Sequence, residues 1–247
     1  MQPAERQKLS ITLAEAAAQL PLGFAPQLLE QLLDYVTLLQ KWNGVYNLTA
    51  VRDPAQMLSQ HLLDCMATLP AFVSVQRLLD VGSGGGLPGM VIAIWARQAA
   101  PAMQVHLIDT VHKKTAFLTQ VKAELGLHHV TVHTGRVEQL HIDEKFDVIT
   151  SRAFADLSDF VRWSGHLLAP GGELIALKGQ APADELARLP PEWRITRKTS
   201  VEVPGLNAQR HLVHIARATD CSKEVTDDNP GATDQREPDD QHSHSRQ

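Results

Sequence analysis

Only two cysteines, Cys65 and Cys221, occur in 247 residues, which excludes a disulfide scaffold and fits a reducing compartment. No apolar run approaches the roughly 20 residues that a membrane span needs. The opening residues MQPAERQKLS lack the apolar segment of a secretory signal, so a soluble cytoplasmic protein with no membrane contact is expected. An excess of base is missing as well: 23 Lys and Arg stand against 28 Asp and Glu, a net charge of −5. That charge sits in one place. Residues 218–247 hold eight acidic and three basic side chains, so residues 1–217 balance 20 against 20. The tail has Val225 as its only large aliphatic side chain and carries Pro230, Gly231 and Pro238. It cannot bury enough surface to offset the entropy of ordering, and it reads as disordered. No internal repeat is present.

What remains is a balanced chain with 43% apolar residues, enough to fill a core. Its grammar changes near residue 70. Before that point Leu28, Leu29, Leu32, Leu33, Val36 and Leu39 recur at helical spacing. Asp53-Pro54 reads as the start of another helix running to about Leu69. From Arg77 onward, short apolar, β-branched runs (Arg77–Val81, Gln104–Asp109, Val130–Thr134, Phe146–Ser151, Glu173–Leu177) alternate with helical stretches at Pro88–Arg97, His112–Leu125 and Asp156–Leu168. Strands separated by helices imply crossovers and a mostly parallel sheet. Two last runs, Trp193–Val203 and Arg210–Arg217, have only Pro204-Gly205-Leu206-Asn207 as a turn between them and read as an antiparallel edge pair. The expectation is a helical extension over 1–70, an α/β domain with seven strands over 71–217, and an acidic tail over 218–247.

The segment Asp80-Val81-Gly82-Ser83-Gly84-Gly85-Gly86-Leu87-Pro88-Gly89 joins the first strand to its helix. Glycines such as Gly82 and Gly84 there let backbone approach a ligand where a Cβ would collide, and the carboxyl ends of strands are where open α/β sheets bind ligands. Three readings compete. Gly84-x-Gly86-x-x-Gly89 formally matches a dinucleotide fingerprint, with Asp109 at a ribose-binding distance, although the match starts two residues after the first glycine. A bare strand–helix turn is the second, opposed by the four glycines between Gly82 and Gly86 and two carboxylates at strand ends. Asp80-x-Gly-x-Gly is the third: an acid there suits a ligand bearing an ammonium and a sulfonium. That pattern, with the antiparallel edge pair, resembles the class I S-adenosylmethionine (SAM) methyltransferases, a Rossmann-like fold. Topology then puts Asp109 at the ribose, Val137 and Glu138 after the third strand near adenine, and Arg152 after the fourth. Arg136, Arg152 and Lys178 fall on one edge, which suits a phosphate-bearing substrate.

Missing motifs narrow the acceptor. The loop after the fourth strand is Ser151-Arg152-Ala153-Phe154, not the Asn/Asp-Pro-Pro-aromatic used on exocyclic amines in this fold. Neither cysteine lies where a nucleophile for pyrimidine carbon would be needed. His128, His129, His133 and His141 form the densest histidine group, but without metal-ligand spacing, so no metal is expected. An acceptor with a free lone pair, such as guanine N7, needs no catalytic base, and none is assigned.

Lys41-Trp42-Asn43, Tyr46-Asn47-Leu48-Thr49, Arg52-Asp53, His61-Leu62-Leu63-Asp64, the glycine loop through Leu87-Pro88-Gly89, Ser151–Phe154, Leu177-Lys178-Gly179-Gln180 and Arg210-His211-Leu212-Val213 follow in order. Together they resemble the bacterial small-subunit ribosomal RNA guanine-N7 methyltransferases, the glucose-inhibited division protein B family, over about residues 25–217. The resemblance implies methyl transfer from SAM to N7 of one guanosine in small-subunit rRNA or the ribosomal subunit; a monomer is expected. It implies cofactor contacts at Gly82, Leu87, Val137, Glu138 and Arg152, and leaves Lys178 as a candidate RNA contact. A methyltransferase for small molecules or proteins and a nucleotide-binding oxidoreductase remain the alternatives.

Overall fold

The computed structural model describes residues 1–152, 154, 156–179, 185, 188–206, 210–220 and 226–228. Three N-terminal helices, α1 (Pro3–Ala17), α2 (Pro26–Tyr46) and α3 (Pro54–Met57), each place proline in the first turn, where a missing N–H costs nothing. The α2 stripe Leu28, Leu32, Leu33, Val36 and Leu39 is buried, and Asn47 ends the helix in the left-handed region. The Asp53 carboxylate caps α3 by accepting from the Gln56 N–H at 3.1 Å. The single helix expected to reach Leu69 is interrupted. A π-helical turn spans Leu58–Leu63, α4 covers Asp64–Met66, and a 3₁₀ turn follows at Leu69–Phe72. The wider turn inserts residues into the helical repeat and changes which side chains face outward.

The alternating region follows the order of the sequence: β1 (Arg77–Val81), α5 (Gly89–Ala99), β2 (Gln104–Asp109), α6 (His112–Glu124), β3 (Val130–Thr134), β4 (Phe146–Ser151), α7 (Leu157–Ser164), β5 (Leu168–Lys178), β6 (Trp193–Val201) and β7 (Arg210–Arg217). The sheet order is β3-β2-β1-β4-β5-β7-β6 with a short β8 (Thr226–Asp228) outside β6. Strands β1 to β5 pair in parallel, and β7 runs antiparallel between β5 and β6. Several boundaries differ from the sequence reading; β6, for one, ends at Val201 rather than Val203. The α-helical part of α7 stops at Ser164 and a 3₁₀ turn over Gly165–Leu167 follows, with the Trp193 ring packed against Gly165, where any Cβ would collide with it. β5 starts at Leu168 rather than Glu173, with a register shift against β4 absorbing the Pro170-Gly171-Gly172 segment.

The eighth strand was not expected. Thr226–Asp228 pair with Arg197–Thr199 of β6, occupying an edge whose N–H and C=O groups would otherwise face solvent. Ala218–Asp220 form a 3₁₀ turn. The rest of the tail with Cys221, and likewise Ala153, Gln180 and Asn207, lie outside the described residues.

Alternation along β1 sends Leu78 to one face and Leu79 to the other. The Leu78 face packs against α5, α6 and the N-terminal helices in one continuous cluster that includes Leu13, Leu32, Leu62 and Phe72. The Leu79 face packs against α7 through Phe160 and Val161. Among the described residues no helix is long and apolar enough to cross a membrane.

Candidate active site

The carboxyl ends of β1, β2 and β4 enclose a cavity of about 600 Å³. Its wall includes Gly82 of the glycine loop, Asp109 at the end of β2, Lys114 on α6, Val137 and Glu138 after β3, and Phe154 after β4. The loop is held from below. The Gly82 and Ser83 N–H groups donate to the Ile108 carbonyl at 2.9 and 3.1 Å, and the Tyr35 hydroxyl of α2 donates to the Gly85 carbonyl at 2.6 Å. Gly82, Gly84 and Gly86 have φ of 69°, 56° and 93°, left-handed backbone that suits glycine. Gly89 is glycine for a different reason: a Cβ there would meet Leu107 and the Asp80 carboxylate.

Asp109 is 6% exposed. One of its oxygens accepts from the Gly84 N–H and the other from the Val111 N–H, each at 2.9 Å, with Lys114 Nζ at 3.5 Å. The carboxylate thus fixes the glycine loop to β2 and turns its edge to the cavity, where it can accept further bonds from a diol. Val137 is buried, and Glu138 is half-buried with Arg136 at 3.1 Å. Phe154 stacks on Phe160, with centroids at 5.1 Å, and meets Trp163 edge-on. A slot with a carboxylate at one end and apolar and aromatic walls fits a nucleoside better than a pyrophosphate.

Asp80 departs from its expected place. The carboxylate does not line the cavity. It is fully buried under the loop, where Oδ2 accepts from the Gly89 N–H at 3.0 Å and braces the start of α5. Its Oδ1 has no partner among the described residues. Burial pushes its pKa up to about 7, against the pull of Gly89 and Ser83.

Of the other residues singled out from sequence, Gly82, Asp109, Val137 and Glu138 meet at the cavity, and Gly84 borders it through Asp109. The Leu87 side chain instead turns into the apolar core. Arg152 and Lys178 line a second cavity of about 340 Å³ on the other side of the β4 loop. The expected basic edge is therefore divided, and each cation on it has an acid: Glu138 for Arg136, Asp64 for Arg152 at 3.3 Å, and Glu185 for Lys178 at 2.8 Å. Lys178 Nζ also donates to the Phe154 carbonyl at 2.9 Å, which pins the wall between the cavities.

Three residues carry weight that the sequence did not assign. Lys114 stands in the first turn of α6 and Trp163 comes from α7, neither within a motif. Asp64 interrupts the apolar run Leu62-Leu63-Asp64-Cys65-Met66, and an acid in such a run was the available signal. Cys65 is buried beside it, its thiol pushed up to about 12 by burial.

A family model described as "rRNA small subunit methyltransferase G" matches residues 28–213. Proteins named ribosomal RNA small subunit methyltransferase G are similar throughout. That of Herminiimonas arsenicoxydans is 59% identical, covering 88% of this chain and 100% of its own. That of Janthinobacterium sp. (strain Marseille) is 58% identical over 88% and 99%. Among solved structures, an O-methyltransferase from Bacillus cereus in complex with S-adenosylhomocysteine superposes with a TM-score of 0.52 at 16% identity, covering 86% of this chain and 99% of that one. The O-methyltransferase TomG from Streptomyces achromogenes, in complex with SAM, gives 0.53 at 16%, over 88% and 99%. At that identity they speak for the fold, the class I methyltransferase sheet.

Proposed function

This chain belongs to the rRNA small subunit methyltransferase G family, and from that premise we infer that it transfers a methyl group from SAM to N7 of a guanosine in small-subunit ribosomal RNA. The observation that carries the reading is the meeting of Gly82, Asp109, Val137 and Glu138 around one cavity at the strand ends. The donor set fits SAM: a carboxylate for the ribose hydroxyls, apolar walls for adenine, and a glycine loop close enough for main-chain contact. Gly82, Gly84, Asp109, Val137 and Glu138 are proposed to hold it. Leu87 would contribute its main chain, since its side chain belongs to the core, and Arg152, whose guanidinium Asp64 holds at a separate cavity, would contribute its main chain alone.

When bound, SAM supplies the methyl group on a sulfonium: the N7–carbon bond forms as the carbon–sulfur bond breaks, and the electron pair stays on sulfur. N7 carries no proton to remove, so no general base is required. The protein's contribution is alignment and exclusion of water. Asp109 and the loop it anchors fix the nucleoside end. The β4 loop, tied by Lys178 and backed by Phe160 and Trp163, forms the wall through which the acceptor must be presented.

The same reading gives a cytoplasmic monomer acting on the ribosomal subunit or its RNA, with a helical extension over 1–70, a catalytic domain over 71–217 and an acidic tail over 218–247. Mapping 7-methylguanosine in small-subunit rRNA from a deletion strain tests the activity. Loss of one modified guanosine, restored by the gene, is expected; an unchanged map overturns it. Calorimetry with SAM, S-adenosylhomocysteine and NAD tests the cofactor, and binding of NAD alone would overturn that part.

A further inference from the structure

The second cavity, of about 340 Å³, has a composition that the cofactor does not explain. Arg152, Lys178 and Arg210 line it with His61, His211 and, as the single acid among the described residues, Asp64. Asp64 is 7% exposed at the side chain and receives two guanidinium groups, Arg152 Nη1 at 3.3 Å and Arg210 Nε at 2.5 Å. The two arginines come from the end of β4 and the start of β7, yet one carboxylate of the N-terminal layer sets both. Each keeps more than a quarter of its side chain exposed, so the held forks reach the cavity surface. The π-helical turn Leu58–Leu63 lies directly before Asp64, and Gln60, His61 and Asp64 all reach this cavity. Burial, with Arg152 next, holds the His61 imidazole below its ordinary range, and its Nε2 lies 2.7 Å from Thr49 Oγ1.

Position adds to composition. Arg152 faces this cavity and Phe154, two residues on, faces the cofactor cavity. Arg152 and Phe154 thus stand on the two sides of a shared partition. A ligand here lies one loop away from the cofactor site, and two forked cations at its mouth suit the oxygens of a phosphate. The volume matches one nucleotide and not a duplex. Guanine N7 in an A-form helix lies in a deep, narrow groove that side chains do not enter, so chemistry at N7 is served by an unstacked nucleotide.

We propose that this cavity receives the target guanosine as a single extruded nucleotide, its phosphate against Arg152 and Arg210, with Asp64 as the positioning residue that aims both. The proposal rests on the rRNA methyltransferase reading above.

The test uses the full chain, small-subunit rRNA and two variants. Arg210→Gln should raise KM for RNA about tenfold, the loss of one charge-assisted hydrogen bond, and flatten the salt dependence of RNA binding by about one counterion. Its SAM dissociation constant should stay within about twofold. Asp64→Asn should raise KM for RNA while kcat at saturating RNA falls less, and Arg210→Lys should recover part of the Arg210→Gln loss. On the wild type, guanosine 5′-monophosphate should compete with RNA, and guanosine more weakly. An unchanged KM for RNA in Arg210→Gln, or a loss of SAM affinity as large as the KM change, overturns the proposal. If Arg210→Gln does not fold, the mononucleotide competition decides alone, and absence of competition overturns it. A wild type that makes no 7-methylguanosine would instead refute the methyltransferase reading itself.

Discussion

Asp80 sets burial against charge. It is fully buried, one of its oxygens lacks a partner among the described residues, and its pKa stands at about 7 against an ordinary 3.8. A carboxyl raised in the folded state favours the protonated fold. Its stabilising contribution is therefore complete below about pH 4 and is lost as pH rises through about 7. Asp80→Asn stays neutral throughout and can still accept from Gly89. Its stability relative to wild type should rise between pH 4 and pH 8, by up to about 4 kcal/mol. Urea unfolding at the two pH values measures this, and a constant difference would mean that the carboxylate ionises in place. Asp109 makes the opposite bargain, with both oxygens engaged by N–H groups. Asp109→Ala should weaken SAM by roughly 1.5–3 kcal/mol, and the cost includes the loop it releases. An unchanged dissociation constant in calorimetry would move the ribose elsewhere.

Among the elements, the glycine loop is the one that the rest of the molecule serves. β2 accepts its first amides at Ile108, α5 takes its end through Gly89, and α2 reaches it through Tyr35. Gly82→Val would force a β-branched residue into left-handed backbone and a side chain toward the cavity, so SAM binding should disappear. Retained affinity in a normally folded variant would sink the loop assignment. Tyr35→Phe is the milder probe. It leaves a buried carbonyl without its donor and should cost about 1–3 kcal/mol of stability by chemical denaturation, with weaker SAM binding in calorimetry. If SAM affinity is untouched while stability falls, the N-terminal layer supports the fold but does not tune the loop.

At the scale of the whole molecule, the N-terminal helices and the Leu78 face of the sheet share one apolar cluster. The extension is packed as part of the domain, and its acid Asp64 sits 146 residues from the Arg210 it binds. The tail has a lighter hold, with three residues paired on β6 and the Ala218 N–H donating to the Glu192 carbonyl at 2.9 Å. Truncation after Asp220 keeps the second contact and removes the first. Thermal unfolding should shift by no more than a few degrees, corresponding to under about 1 kcal/mol, with methylation of rRNA unchanged. A large loss would show that the acidic tail does more than cover an edge.

Much of this architecture is local, and local features were legible. Arg77–Val81, Gln104–Asp109, Val130–Thr134 and Phe146–Ser151 appear as strands with the bounds their β-branched runs suggest, because a period of two needs only neighbours to be recognised. That Gly82, Asp109, Val137 and Glu138 lie near one another was readable for a related reason: Gly82 follows β1, Asp109 ends β2, Val137 and Glu138 come shortly after β3, and strand ends converge on one side of a parallel sheet. Side-chain directions depend on distant partners. The Leu87 side chain packs into the core cluster, and the Asp80 carboxylate lies below the loop, where it accepts from the Gly89 N–H. Arg152 and Lys178 follow adjacent strands, as the sequence shows, but which side of the β4 loop they face is set by Asp64 and Glu185. The sequence alone determined the order of elements, the glycine loop and the acid that ends β2, since each is written in consecutive residues. Only the tertiary structure decided that Arg152 and Lys178 line a cavity separate from the one at Gly82 and Asp109, and which charges belong to each, because a charge in a partly buried site goes where a partner can offset its lost hydration.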